Sequence, residues 1–143
     1  MDKSPNDFEL LAQREIIDAL IGDTPLVDCA PEVKMPYQTG RMLAALSNKY
    51  GLPTDYCEAA KSRWMYMEDL LRHCVAKGSV QVLLAELFSP THFSKMSSGK
   101  SAENVRLEHE RIVGLAIGAI NRVLAFGGKE LATVGENYVI RPI

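Results

Sequence analysis

The sequence predicts a mainly α fold, with about five helices forming an orthogonal bundle and a small C-terminal β-hairpin. Apolar residues recur at intervals of three and four along most of the chain, the period of an amphipathic helix. Glycine or proline stands where each of these patterns stops. Beyond Gly127-Gly128 the period changes, and two short β-prone runs flank a turn signal at Gly135-Glu136-Asn137.

The first helix is expected from Pro5 to Ile21, capped by Asn6 or Ser4, with Phe8, Leu11, Ala12, Ile16, Ala19 and Leu20 recurring at helical spacing. Asp7, Glu9, Glu15 and Asp18 fall on or near its wet face, and Gly22-Asp23 ends it. Residues 22–37 contain Pro25, Pro31 and Pro36 with little periodicity. They read as an extended surface connection, because proline fixes φ and removes a backbone donor. A second helix runs from about Thr39 to Tyr50, with Met42, Leu43, Leu46 and Tyr50 on one face and Gly51 closing it. The third starts near Thr54 or Asp55, with a break expected near Ala60, and continues to Lys77. Its core stripe is Trp64, Met67, Leu70, Leu71 and Cys74, and Gly78 terminates it.

Ser79 is placed to cap a fourth helix that turns Val80, Leu83, Leu84, Leu87 and Phe88 inward, and Pro90 stops it. The polar segment SPTHFSKMSSGKS that follows is expected to be mobile. The longest pattern spans Ala102 to Phe126, where Val105, Ile112, Leu115, Ala116, Ala119, Ile120, Val123 and Leu124 mark one apolar face. Lys129 to Val134 and Tyr138 to Ile143 then form the hairpin, with Leu131, Val134, Tyr138 and Ile140 on its inner side. No repeat or linker divides residues 1–143, so one domain is expected.

The chain has 143 residues, 47% of them hydrophobic and 24% charged, enough for a core without disulfide or metal staples. A net charge of -2 gives no strong nucleic-acid signal, since phosphate neutralisation favours a basic excess. No apolar run reaches the ~20 residues a membrane span needs. The polar, acidic start MDKSPNDFELL does not read as a signal peptide, and the three cysteines, Cys29, Cys57 and Cys74, fit no disulfide framework or CxxC knuckle. A cytoplasmic protein is expected.

Candidate chemistry is sparse. Glu108-His109-Glu110 is the best local metal cluster, yet neighbours on a helix point in different directions, so no metal or other cofactor is expected. His73 and Cys74 are also adjacent, and His92 stands alone in its polar segment. Cys74 lies on an apolar stripe and behaves as a small hydrophobe. Cys57, near Lys61 and Arg63, is the one plausible nucleophile, which keeps a cysteine enzyme as the least favoured reading. The glycines Gly114 and Gly118 form no phosphate cradle; their spacing permits close helix approach, within the domain or across a homodimer, with intradomain packing expected. Tyr37, Arg41, Arg63 and Trp64 put aromatic and cationic groups around the second and third helices, a set able to stack on a base and hold a phosphate. The same residues suit the favoured structural role, with Trp64 in the core and Arg63 capping or pairing with a carboxylate. The HEPN ribonuclease spacing of arginine and histidine is missing, since two residues separate Arg106 from His109 and nine separate Arg63 from His73.

Met35-Pro36-Tyr37 with Gly40, then Ser62-Arg63-Trp64-x-Tyr66-Met67, then Ile120-Asn121-Arg122-x-Leu124-x-Phe126-x-Gly128-x-x-Leu131 before Tyr138-Val139-Ile140, resemble the AbiJ-type N-terminal domains of bacterial abortive-infection proteins. The resemblance covers roughly residues 35–143 in scattered positions. It implies a helical accessory domain with a small terminal sheet, fused ahead of an effector that it senses for or signals to. It offers no catalytic residues, and it implies architectural roles for Trp64, Asn121 and Phe126. The function expected is therefore a non-catalytic sensor or regulatory module of an anti-phage protein, acting through a partner or effector domain. The alternative is a small-ligand or cyclic-nucleotide-binding domain built on Tyr37, Arg41, Arg63 and Trp64.

Overall fold

The structure is a computed structural model that describes residues 7–57, 61–96 and 98–143. The expected Asn6 or Ser4 cap and the break near Ala60 lie outside the described residues, as do the side chains of Asp7 and Phe8. Among the described residues six α-helices precede one antiparallel hairpin: α1 (Asp7–Leu11), α2 (Arg14–Leu20), α3 (Gly40–Lys49), α4 (Arg63–Lys77), α5 (Val80–Leu87) and α6 (Ala102–Leu124), then β1 (Lys129–Val134) and β2 (Asn137–Pro142). The mainly α class with a terminal hairpin is the one the sequence predicts.

The expected first helix is two. Gln13 adopts an extended conformation and becomes the N-cap position of α2, so the chain turns between Leu11 and Arg14 and both pieces send leucine or isoleucine into the core. Residues 22–39 form the extended connection that three prolines require, pinned by Leu26 N–H to Val33 O, Gln38 N–H to Ile21 O and an isolated bridge between Val27 and Ala30. Gly22 sits at φ +78°, and a Cβ there would come within 2.6 Å of Met35 O, so only glycine lets the two arms of this connection meet.

Thr39 caps α3 by accepting from Met42 N–H at 3.1 Å. α4 begins at Arg63, several residues beyond the predicted start, and ends at left-handed Gly78 as predicted. Ser79 precedes α5 but its side chain makes no capping bond; its hydroxyl turns back to Cys74 O. The segment expected to be mobile contains a 3₁₀ helix, Pro90–Met96, which buries Phe93. Ser89 starts it by donating to Glu86 O at 2.7 Å and accepting from His92 N–H at 3.4 Å.

Buried Leu43, Met67, Leu70, Leu71, Leu83 and Leu87 meet Ile112, Ala116, Ile120 and Leu124 of α6 in one core. The hairpin joins it through Leu131, with Tyr138 and Ile140 half-buried, whereas Val134 points out at 50% exposure and does not line the inner face as expected. Register is Leu131 opposite Ile140. Asn121 fixes the hairpin to α6: its carbonyl oxygen accepts Leu131 N–H at 2.6 Å and its amide donates to Leu131 O at 3.1 Å. That side chain acts as one extra strand residue, satisfying both backbone groups that β1 turns towards the helix.

Candidate functional site

A cleft of about 600 Å³ opens between α3, the C-terminal end of α5 and the 3₁₀ helix, with Tyr37, Met42, Lys49, Glu86, His92 and Lys95 in its walls. Its volume falls within the ~300–1,000 Å³ typical of small-molecule sites. Lys49 and Tyr50, at the end of α3, converge on one carboxylate of α5: the Lys49 ammonium lies 2.9 Å from Glu86 Oε1, and the Tyr50 hydroxyl donates to the same oxygen at 2.9 Å. Burial pushes the Glu86 carboxyl up, but hydrogen bonds from Lys49 and Tyr50 outweigh it and hold the group below its ordinary range. Burial and the Glu86 carboxylate together push the Tyr50 hydroxyl far above the usual phenol range, so it stays a donor. Lys95 makes no ion pair among the described residues and remains the free cation of the cleft.

His92 does not stand alone. Its Nε2 pairs with the Gln38 side-chain amide, tying the 3₁₀ helix to the connection before α3. Burial pushes its imidazole below the ordinary histidine range, against the opposing field of Glu86. The neutral ring accepts from the amide. Gln38 is itself buried.

The four predicted aromatic and cationic residues do not gather into one pocket. Arg63 lies over the Tyr37 ring at 3.8 Å, Arg41 over Tyr56 at 4.8 Å, and Trp64 takes Arg14 at 4.3 Å. Arg63 is a brace: Nε donates to Gln38 O at 2.6 Å, Nη2 to Ile21 O at 2.9 Å, and Nη1 pairs with Asp23. Trp64 is half-buried. Only Tyr37 of the four reaches the cleft.

The remaining candidates are also held in the fold. His73 Nε2 bonds Tyr50 O at 2.9 Å, and His109 Nε2 bonds Phe88 O at 2.7 Å with the Phe93 ring edge-on to it. Glu108 turns to Lys100 and Glu110 to Arg106, so the Glu-His-Glu triplet points three ways. Among the described residues no three metal-ligating side chains converge. Cys74 is buried, which pushes its thiol up. Cys57 is exposed, while Lys61 engages Asp69 and Arg63 engages Asp23.

α6 carries the other surprise. Gly114 and Gly118 are exposed, and a Cβ on either would meet nothing within 4 Å among the described residues, so no described helix packs on them as expected. Phe126 is 94% exposed rather than architectural, and Ile143 is 75% exposed. Ile143 N–H donates to Gly128 O at 3.0 Å, which brings the last residue beside the Phe126 turn. No helix among the described residues is long and apolar enough to cross a membrane.

No family model matches the chain, and no curated protein or solved structure matches it significantly. The cleft itself could not be read from sequence spacing. Lys49, Glu86 and Lys95 stand on three separate elements, and the polar run around His92 reads in sequence only as a mobile segment.

Proposed function

We propose that this domain is a non-catalytic sensor or regulatory module of a bacterial defence protein, acting by contact with a protein partner or effector domain. One observation carries the reading. The three histidines bond other elements of the fold and Cys74 is buried, leaving Cys57 the exposed candidate nucleophile, while large apolar groups stand outside. His73, His92, His109 and Cys74 are all committed to joining elements or filling the core. Phe126, Ile143 and Leu107 face solvent, together with the bare helix backbone at Gly114 and Gly118. The Ile143–Gly128 hydrogen bond brings Phe126 and Ile143 to the same end of the domain, and exposed apolar groups of this size characterise contact surfaces. The resemblance to AbiJ-type domains implies an effector after the hairpin, and a segment continuing from Ile143 would emerge next to Phe126. That position suits direct signalling between the two.

The test is phage challenge of cells that carry the native gene, with plating efficiency as the readout. Cys29→Ser with Cys57→Ser removes both exposed thiols, and protection should persist. Loss of protection at unchanged protein level would restore the cysteine-enzyme reading. Absence of any protection by the unmodified gene would remove the defence assignment.

A second reading, a small-ligand or nucleotide-binding domain, is favoured by the cleft beside Tyr37 and by Lys95 in its wall, which makes no ion pair among the described residues. Arg41, Arg63 and Trp64 support the fold in that reading and do not touch the ligand.

A further inference from the structure

We infer that the cleft between α3 and the 3₁₀ helix binds a nucleoside monophosphate, with the base on Tyr37 and the phosphate beside Lys95. This rests on the ligand-binding reading of the domain and identifies the chemical class. Arg63 covers one face of the Tyr37 ring at 3.8 Å, yet Tyr37 remains 58% exposed and lines the cleft. A ring held by a braced guanidinium is a fixed platform, so a planar base stacks on it without first ordering the side chain. The bonds from Arg63 to Ile21 O, Gln38 O and Asp23 supply that bracing.

The charge pattern asks for an anion. Among the described residues Lys49 pairs with Glu86, His92 is neutral and Lys95 makes no ion pair, so the described walls carry one net positive charge at neutral pH. Glu86 also offers an acceptor at the cleft wall for an exocyclic amine or a sugar hydroxyl, and Thr91 offers a hydroxyl. Met42 and Met96 also line the cleft, flexible apolar side chains that can pack against the face of a base. Platform, single cation and polar rim together fit one base, one sugar and one phosphate.

The methionines provide the assay. The chain has 6 of them, and Met42 and Met96 line the cleft. The intact chain, labelled at its methionine methyl groups, is titrated with AMP, GMP, their cyclic forms, adenosine and inorganic phosphate while methyl spectra are recorded. The expected result is a saturable shift of the Met42 and Met96 signals with at least one monophosphate. Tyr37→Ala should weaken it about tenfold and Tyr37→Phe should preserve it, since stacking needs only the ring. Lys95→Ala should weaken it several-fold and flatten its salt dependence. A melting temperature measured for each variant separates lost binding from lost folding. Two results would overturn the inference. If adenosine shifts the two signals as well as AMP does, the ligand reading stands and the phosphate assignment falls. If no compound moves them, the cleft is not a nucleotide site and the ligand reading falls with it.

Discussion

Replacing Arg63 by alanine should be among the most damaging changes outside the core. The guanidinium makes two hydrogen bonds to backbone carbonyls, Gln38 O at 2.6 Å and Ile21 O at 2.9 Å, an ion pair with Asp23, and a stack on Tyr37 at 3.8 Å. Hydrogen bonds to a charged partner are worth about 1.5–3 kcal/mol each. The Asp23 pair is partly exposed and adds at most about 1 kcal/mol, and the stack adds about 0.5–1 kcal/mol. Water can reach part of the site, because the Arg63 side chain is 21% exposed, so the carbonyls are not left wholly unpaired. A loss of about 3 kcal/mol follows, or a drop in melting temperature of roughly 6–12 °C for a chain of this size. Arg63→Lys should recover little, since an ammonium cannot fork to two carbonyls and an aspartate together. Thermal unfolding followed by far-UV circular dichroism measures both. A fall of less than 2 °C in Arg63→Ala would refute the brace and return Arg63 to the surface.

Three further predictions follow the same logic. Asn121→Ala strips the partners from Leu131 N–H and C=O and should cost about 1–3 kcal/mol, with faster amide exchange confined to the hairpin; uniform exchange would contradict the local anchoring. His92 titrates at a lower pH folded than its ordinary 6.5, so the unfolded chain takes up the proton first. Stability should therefore be full above about pH 6.5 and fall as pH drops through the depressed folded value, and His92→Gln should flatten that slope in urea unfolding at pH 7.5 and 5.5. Thiol labelling should modify Cys29 and Cys57 quickly and Cys74 only on unfolding, because Cys74 is buried with its thiol pushed up; fast reaction of all three would contradict the packing.

The fold was largely legible because its helices bury one face each. The stripe Met67, Leu70, Leu71 and Cys74 and the glycine closures at Gly78 and Gly128 lie where periodicity put them. What the period could not show was where the chain turns without a glycine or proline, as at Gln13, since that choice is made by packing of Leu11 and Ile16 against other elements. Helical spacing placed Gly114 and Gly118 four apart but said nothing about whether another helix lies over them. The aromatic and cationic residues lie near one another in sequence, yet each cation meets a different ring, because Arg41, Arg63 and Trp64 leave their helices in different directions. His92 looked isolated because its hydrogen-bond partner, Gln38, lies 54 residues away in the chain.

The most direct test of signalling by contact is Phe126→Asp in the native gene, scored by phage plating efficiency. At 94% exposure Phe126 contributes little to the core, so the melting temperature should move by less than about 2 °C. Protection should be lost at that unchanged stability. Full protection would contradict it, and the exposed end of α6 would then not be the surface through which this domain works.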